Sequence, residues 1–362
     1  MVEELLDYIP DDRIEDVIYI NAADTERPVP LNPLENVDPA YHPVVASGVI
    51  SLLKKIWGDS WDSRLEHILR HTLLTLLPYP HATLEYVPRL FLDVNFRNRV
   101  VAATVDDHFR DFWRKEYVGA YAANFRNEAI APILNKVGQF LASPLMRNIV
   151  GVPHNTFDFR QVMDEGKITL VNLSKGRIGE DASMLLGGLV VTKVWLAALS
   201  RQAIPEDKRR DFYLTIDEAH SIATTSFADM LAETRKYRLN LTLAHQYIDQ
   251  LDDGLRSTIL GNVGILIAFR ADAEDAAYVA REFEPVFSAA DFVNLPQYHV
   301  YLKLLIDGIP SKGFSVVTLP QLGGKTANRD MAIERSRTRY GTDAVDAIVF
   351  TVVTGRSYKV LT

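Results

Sequence analysis

Two adjacent carboxylates, Asp217 and Glu218, directly follow the apolar run Phe212-Tyr213-Leu214-Thr215-Ile216. A run of that length and composition reads as a strand. Ligands of parallel α/β sheets bind at the carboxyl edge, and a carboxylate pair there suits phosphoryl transfer. The first can hold Mg2+, often through water, and the second can polarise the water that attacks a γ-phosphate. The pair could instead close the strand, with Asp217 capping the next helix.

Three more polar residues follow. Arg235 stands seventeen positions after Glu218, where the next helix should end, and Arg235-Lys236-Tyr237-Arg238 leads into a second strand, Leu239 to Ala244. That strand ends in His245-Gln246. A glutamine at the same edge can sense a γ-phosphate, although most such residues only satisfy a loop. Arg235 could serve a phosphate or merely complement its own helix dipole. Arg270 ends the run Gly264 to Phe269, with Asp272 and Glu274 close enough in sequence for a salt bridge.

These residues need a scaffold. The chain has 362 residues, 48% hydrophobic and 24% charged, which is ordinary globular composition and long enough for two cores. A net charge of -8 argues against coating nucleic acid over the whole surface. It leaves room for a few backbone contacts per subunit inside a ring. With no cysteine, disulfides and thiolate metal sites are excluded, which fits the cytosol. The acidic start, Met1-Val2-Glu3-Glu4, is not a signal peptide. Met184 to Leu199 is apolar but short and interrupted by Lys193, so a buried helix is expected and no membrane span.

A helix over Glu3 to Ile9 and a strand over Val17 to Asn21 open the chain, before prolines 28, 30 and 33. From Asp38 to Asn148 apolar residues recur at helical spacing: Val45, Val49, Leu52, Leu53, then Leu65, Ile68, Leu69, Leu73 and Leu76. After Pro153 strand-length runs alternate with helices, at Ile168–Asn172, Phe212–Ile216, Leu241–Ala244, Val263–Phe269 and Val300–Leu305. That alternation predicts a parallel sheet covered on both faces. The expected division is 1–37, a partial core; 38–150, an inserted all-helical domain; 151–320, the core with its carboxylates; and 321–362, a linker and tail with a short helix near Asp330 to Arg337.

The order of Asp217-Glu218, Arg235, Gln246 and Gly261-Asn262-Val263-Gly264 resembles the FtsK–HerA superfamily of ATPases. Within it the sequence is most similar to type IV secretion coupling proteins and conjugative DNA-transfer ATPases. The likeness runs from Val2 to Arg337 and includes Ile20-Asn21-Ala22-Ala23-Asp24 and Leu170 to Gly176. It implies a RecA-like P-loop NTPase core with an inserted all-α domain. It also implies ATP and Mg2+ as cofactors and DNA, single- or double-stranded, in the pore of a homo-hexamer. Asp217 and Glu218 match the Walker B pair, with Asp217 on Mg2+ through water. Gln246 matches the sensor glutamine, and Arg235 the arginine that reaches into a neighbouring subunit. Arg270 is a second candidate for a phosphate contact in trans. The resemblance places the protein in the cytoplasm, at the inner face of the membrane through partners or a missing N-terminal part. Secretion or relaxosome proteins are the expected partners.

One element of the pattern is missing. The phosphate loop, Gly-x-x-x-x-Gly-Lys-Ser/Thr, should precede a strand that ends before this sequence begins. The nearest lookalike is Gly323-Gly324-Lys325-Thr326, where Leu319 occupies the position of the first glycine. The expectation is an N-terminally truncated motor, inactive alone. Two alternatives stay open: a superfamily 2 DEAH-type helicase fragment, from Asp217-Glu218-Ala219-His220, and a non-enzymatic truncated subunit that binds partners. His67 and His71 share one helix face. With no third ligand evident, packing or surface placement is expected.

Overall fold

The structure, a computed structural model, describes residues 2–35, 37–58, 61–121, 123–321 and 323–344. The segment after Ala347, read as a strand pair or tail, lies outside the described residues. Contacts divide the chain into two units: one built from residues up to Phe212, Thr234–Asn240 and the chain from Thr326 onward, the other from Tyr213–Glu233 and Leu241–Lys325.

In the first unit, β1 (Val17–Asn21) pairs in parallel with β2 (Ile168–Asn172), Val17 opposite Ile168 and Asn21 opposite Asn172. Alternate residues of β1 feed two cores. Val17 and Tyr19 pack with Leu6, Ile9, Ile14 and Ala332. Ile18 and Ile20 pack with Val29, Val162 and Tyr340. Both faces are therefore covered, which explains a strand apolar at every position but the last. The helix expected near Asp330 spans Arg329–Tyr340. It docks on β1, where Tyr19 N donates to Ser336 Oγ at 2.7 Å. Arg329 pairs with Asp7 at 2.5 Å and Arg337 with Asp24 at 2.7 Å.

Every regular element between His42 and Val150 is helical among the described residues. Val45, Val49, Leu52, Leu53, Leu65, Ile68, Leu69, Leu73 and Leu76 are all buried, as their spacing predicts. Side-chain caps start several of these helices: Asp62 accepts from Leu65 N, and Asp93 from Phe96 N.

The apolar helix runs over Glu180–Ser200, longer than the sequence run suggests. With the turn to Ala203 it has the length and composition to cross a membrane, but 72% of its most apolar window is buried within the protein. It packs closely against His42–Trp57: a Cβ on Gly188 would fall 2.0 Å from Leu52 Cδ2.

β3 (Phe212–Ile216) and β4 (Leu239–Leu243) form a second pair. Phe212 N donates to Arg238 O at one end and Ala244 N to Ile216 O at the other, both at 2.9 Å, so the strands run parallel. The rest corrects the expected all-parallel series. β5 (Ile265–Ala268) and β6 (His299–Ile306) are antiparallel, and β7 (Ile309–Pro310) and β8 (Phe314–Val317) also run antiparallel to β6. Asp307-Gly308, both at positive φ (51° and 79°), form the two-residue hairpin turn that joins β6 to β7. Leu266, Ala268 and Tyr301 cover the core of Ala276, Val279, Phe283 and Phe292.

Candidate functional site

At the end of β3 the backbone turns sharply, with Glu218 in the left-handed region at φ 52°. A glutamate is uncommon there, and the surrounding bonds hold it. Ala219 N donates to Ala244 O at 2.9 Å and Ser221 Oγ to Glu218 O at 2.8 Å. The side chain of Glu218 thereby meets residues that follow β4. Gln246 Nε2 donates to Glu218 Oε1 at 2.5 Å, and His220 Nδ1 lies 3.4 Å from Glu218 Oε2. Asp217 is exposed, and its Oδ1 accepts from Glu218 N at 3.1 Å.

Sequence reasoning gave no role to the histidines beside this pair. Burial lowers the pKa of His245, helped by the nearby His220, while Asp275 and Glu218 pull the other way. Asp275 is itself buried and accepts from Ile248 N at 3.2 Å. The signal was present in the sequence, since a histidine follows each strand within four residues.

The remaining candidates fall elsewhere. Arg235 lies in the first unit, in a tight 3-10 turn (Thr234–Tyr237) after the helix Thr225–Glu233. Its side chain is exposed, and among the described residues no ion pair or hydrogen bond holds it. Arg270 is exposed too and makes no salt bridge to Asp272 or Glu274 among the described residues. Asp272 instead caps the helix Ala273–Phe283, accepting from Glu274 N and Asp275 N.

An exposed carboxylate such as Asp217 fits Mg2+ held largely by water. Among the described residues no three His, Asp or Glu groups converge to hold an ion directly. The triphosphate fits less well, because Gly323-Gly324-Lys325-Thr326 is set back from both β8 and the helix Arg329–Tyr340 and makes no tight turn from one into the other. Thr326 is tied to the chain start, with N 2.6 Å and Oγ1 2.9 Å from Asp7 O.

A separate cleft of about 850 Å³ in the first unit is lined by Tyr41, Phe157, Asp158, Arg160, Lys193 and Ser200, among others. Lys193 Nζ donates to Glu35 O at 2.9 Å. Burial lowers its pKa to about 8 against the upward pull of Glu35 and Asp158. None of the residues picked out for phosphate chemistry lines this cleft.

Neither the protein-family models nor the curated proteins compared with the sequence give a match. Solved structures do. The unbound monoclinic form of the bacterial conjugative coupling protein TrwBdeltaN70 aligns with a TM-score of 0.62 at 17% identity, over 91% of this chain and 79% of that one. The plasmid coupling protein TrwB with ADP and Mg2+ aligns at 0.61 and 17%, over the same shares. TrwB with a non-hydrolysable ATP analogue aligns at 0.59 and 18%, again over 91% and 79%. At such identity the likeness carries architecture: the chain shares the α/β fold of these coupling proteins, a RecA-type core with an inserted all-helical domain.

Proposed function

We propose that this chain is the Walker B and sensor part of an ATP-driven DNA translocase of the conjugative coupling type. The contact between Gln246 and Glu218, at the carboxyl ends of neighbouring parallel strands, carries the reading. Its support is a fold shared with coupling proteins solved with nucleotide and Mg2+. Asp217 would hold Mg2+ through water and Glu218 would orient the attacking water, with Gln246 setting the carboxylate's position. Arg235 and Arg270 are exposed cations suited to a neighbouring subunit's phosphates in a homo-hexameric ring around DNA. The protein would act at the cytoplasmic face of a membrane, with secretion or relaxosome proteins as partners.

The phosphate cradle would come from residues outside this sequence. Among the described residues β4 pairs only with β3, and β5 only with β6, so each has an open edge. β5 also exposes Ile265 (59%) and Ile267 (54%), apolar side chains that a covered sheet would bury. A strand leading into a phosphate loop would fill such an edge.

Calorimetry and steady-state hydrolysis test the reading. The chain alone should bind Mg-ATP weakly and turn it over negligibly. An extended form that supplies the strand, loop and helix should bind it tightly, with hydrolysis stimulated by DNA. Micromolar Mg-ATP affinity in the chain alone would overturn the proposal.

A further inference from the structure

Away from the carboxylate pair, the helical domain brings together three histidines that the phosphate chemistry does not use. His71, on the helix Ser63–Leu76, is buried and stacks against Phe112 at 4.3 Å, with ring planes 21° apart. Its Nδ1 lies 2.8 Å from the carbonyl of His67. A carbonyl only accepts, so Nδ1 carries the proton and Nε2 of the neutral ring presents a lone pair. That lone pair faces His108 Nε2 at 3.4 Å. His108 sits on an exposed turn started by Asp106, whose side chain accepts from His108 N at 2.8 Å.

Both the distance and the tautomer matter. Two imidazole nitrogens bound to one tetrahedral Zn2+ at about 2.0–2.1 Å stand about 3.4 Å apart. Metal-bound histidines commonly donate their other ring N–H to a carbonyl or carboxylate, which fixes the ring. His71 already has that arrangement with no metal required to impose it. His67 is committed elsewhere: its Nε2 lies 2.9 Å from Glu116 Oε1, which also accepts from Tyr121 OH at 2.6 Å.

We propose that His71 Nε2 and His108 Nε2 form a two-histidine site for a divalent transition metal such as Zn2+, Ni2+ or Cu2+. The bound ion would clamp the helix Ser63–Leu76 to the turn at Asp107–Asp111. Imidazole nitrogen selects these ions over Mg2+ and Ca2+. No third histidine or carboxylate converges on the pair among the described residues, so water completes the shell on the exposed His108 side. The simpler arrangement, a neutral N–H···N hydrogen bond between the rings, leaves both side chains in place but binds no metal.

Titration of the full chain with Zn2+ at pH 7.5, by calorimetry, separates the two. The metal site predicts a one-to-one event and a rise in thermal midpoint with Zn2+. His108→Asn keeps a donor for His71 but removes the ligand, and should weaken binding roughly tenfold or more and abolish the thermal shift. Because His108 is exposed, this variant leaves the core intact; circular dichroism confirms that it folds. Co2+ gives a second readout, with visible absorption bands present in the parent and lost in His108→Asn. Absence of a Zn2+ isotherm, or equal affinity in His108→Asn, would overturn the proposal.

Discussion

Gln246 Nε2 donates to Glu218 Oε1 at 2.5 Å, joining the residues that follow two neighbouring parallel strands. The amide donates only one of its N–H groups to that oxygen, and the other stays available. A glutamine so placed can report a change on one strand to the other, because moving either carboxylate or amide breaks a charge-assisted bond.

In a form that carries a phosphate loop, Glu218→Gln should leave Mg-ATP binding intact and lower turnover about a hundredfold or more. Gln246→Ala should also lower turnover with binding kept. Single-turnover hydrolysis with a parallel binding isotherm checks both. A Glu218→Gln enzyme with turnover within about threefold of the parent would remove Glu218 from the chemistry.

Arg235 is exposed and unpaired among the described residues, as a residue acting in trans requires. Arg235→Ala in the same extended form should keep ATP binding and lose about a thousandfold in hydrolysis. Mixing it with Glu218→Ala should restore part of the activity, since some interfaces then pair an intact glutamate with an intact arginine. If hexamers form and mixing restores nothing, Arg235 does not act in trans.

Gly188 permits the contact between the helices His42–Trp57 and Glu180–Ser200. Gly188→Val should cost about 1–3 kcal/mol, because its Cβ would overlap Leu52. The urea midpoint should fall with an unchanged slope. Adding Leu52→Ala should recover part of the loss relative to the sum of the single variants.

Lys193 links stability to pH. Its folded pKa of about 8 lies below the unfolded value near 10.4, so folding disfavours its charged form. Between those values the unfolded chain binds more protons, and stability should rise with pH from about 8 to about 10.4. Lys193→Met should flatten that rise. Urea midpoints at pH 7.5, 8.5 and 9.5 for both proteins decide it; parallel profiles would show that Lys193 titrates normally.

The sequence made some features legible and hid others. β1 could be read because Val17 to Ile20 are all apolar, and the all-helical block because Leu65 to Leu76 keep helical spacing. The Asp217-Glu218 and Gln246 positions followed from strand ends. The direction of β6 was misread because an apolar run carries no direction; Asp307-Gly308, just past the strand, marks only its return into β7. His108 escaped notice as a neighbour of His71 because they are 37 residues apart, and a pairing set by tertiary packing leaves no period. The positive φ of Glu218 was also hidden, since nothing local in Ile216-Asp217-Glu218 requires it.

The docking of Arg329–Tyr340 on β1 has a consequence for biosynthesis. Tyr19 and Ser336 are 317 positions apart, so a ribosome adding about 5–20 residues per second delivers the second roughly 15–60 s after the first. Val17, Ile18, Tyr19 and Ile20 leave the exit tunnel well before β2 is made, and through the whole interval they lack their final helix. A nascent chain that displays four consecutive apolar residues for so long is a natural client for holdase chaperones, and its yield in cells should depend on them more than its finished stability suggests.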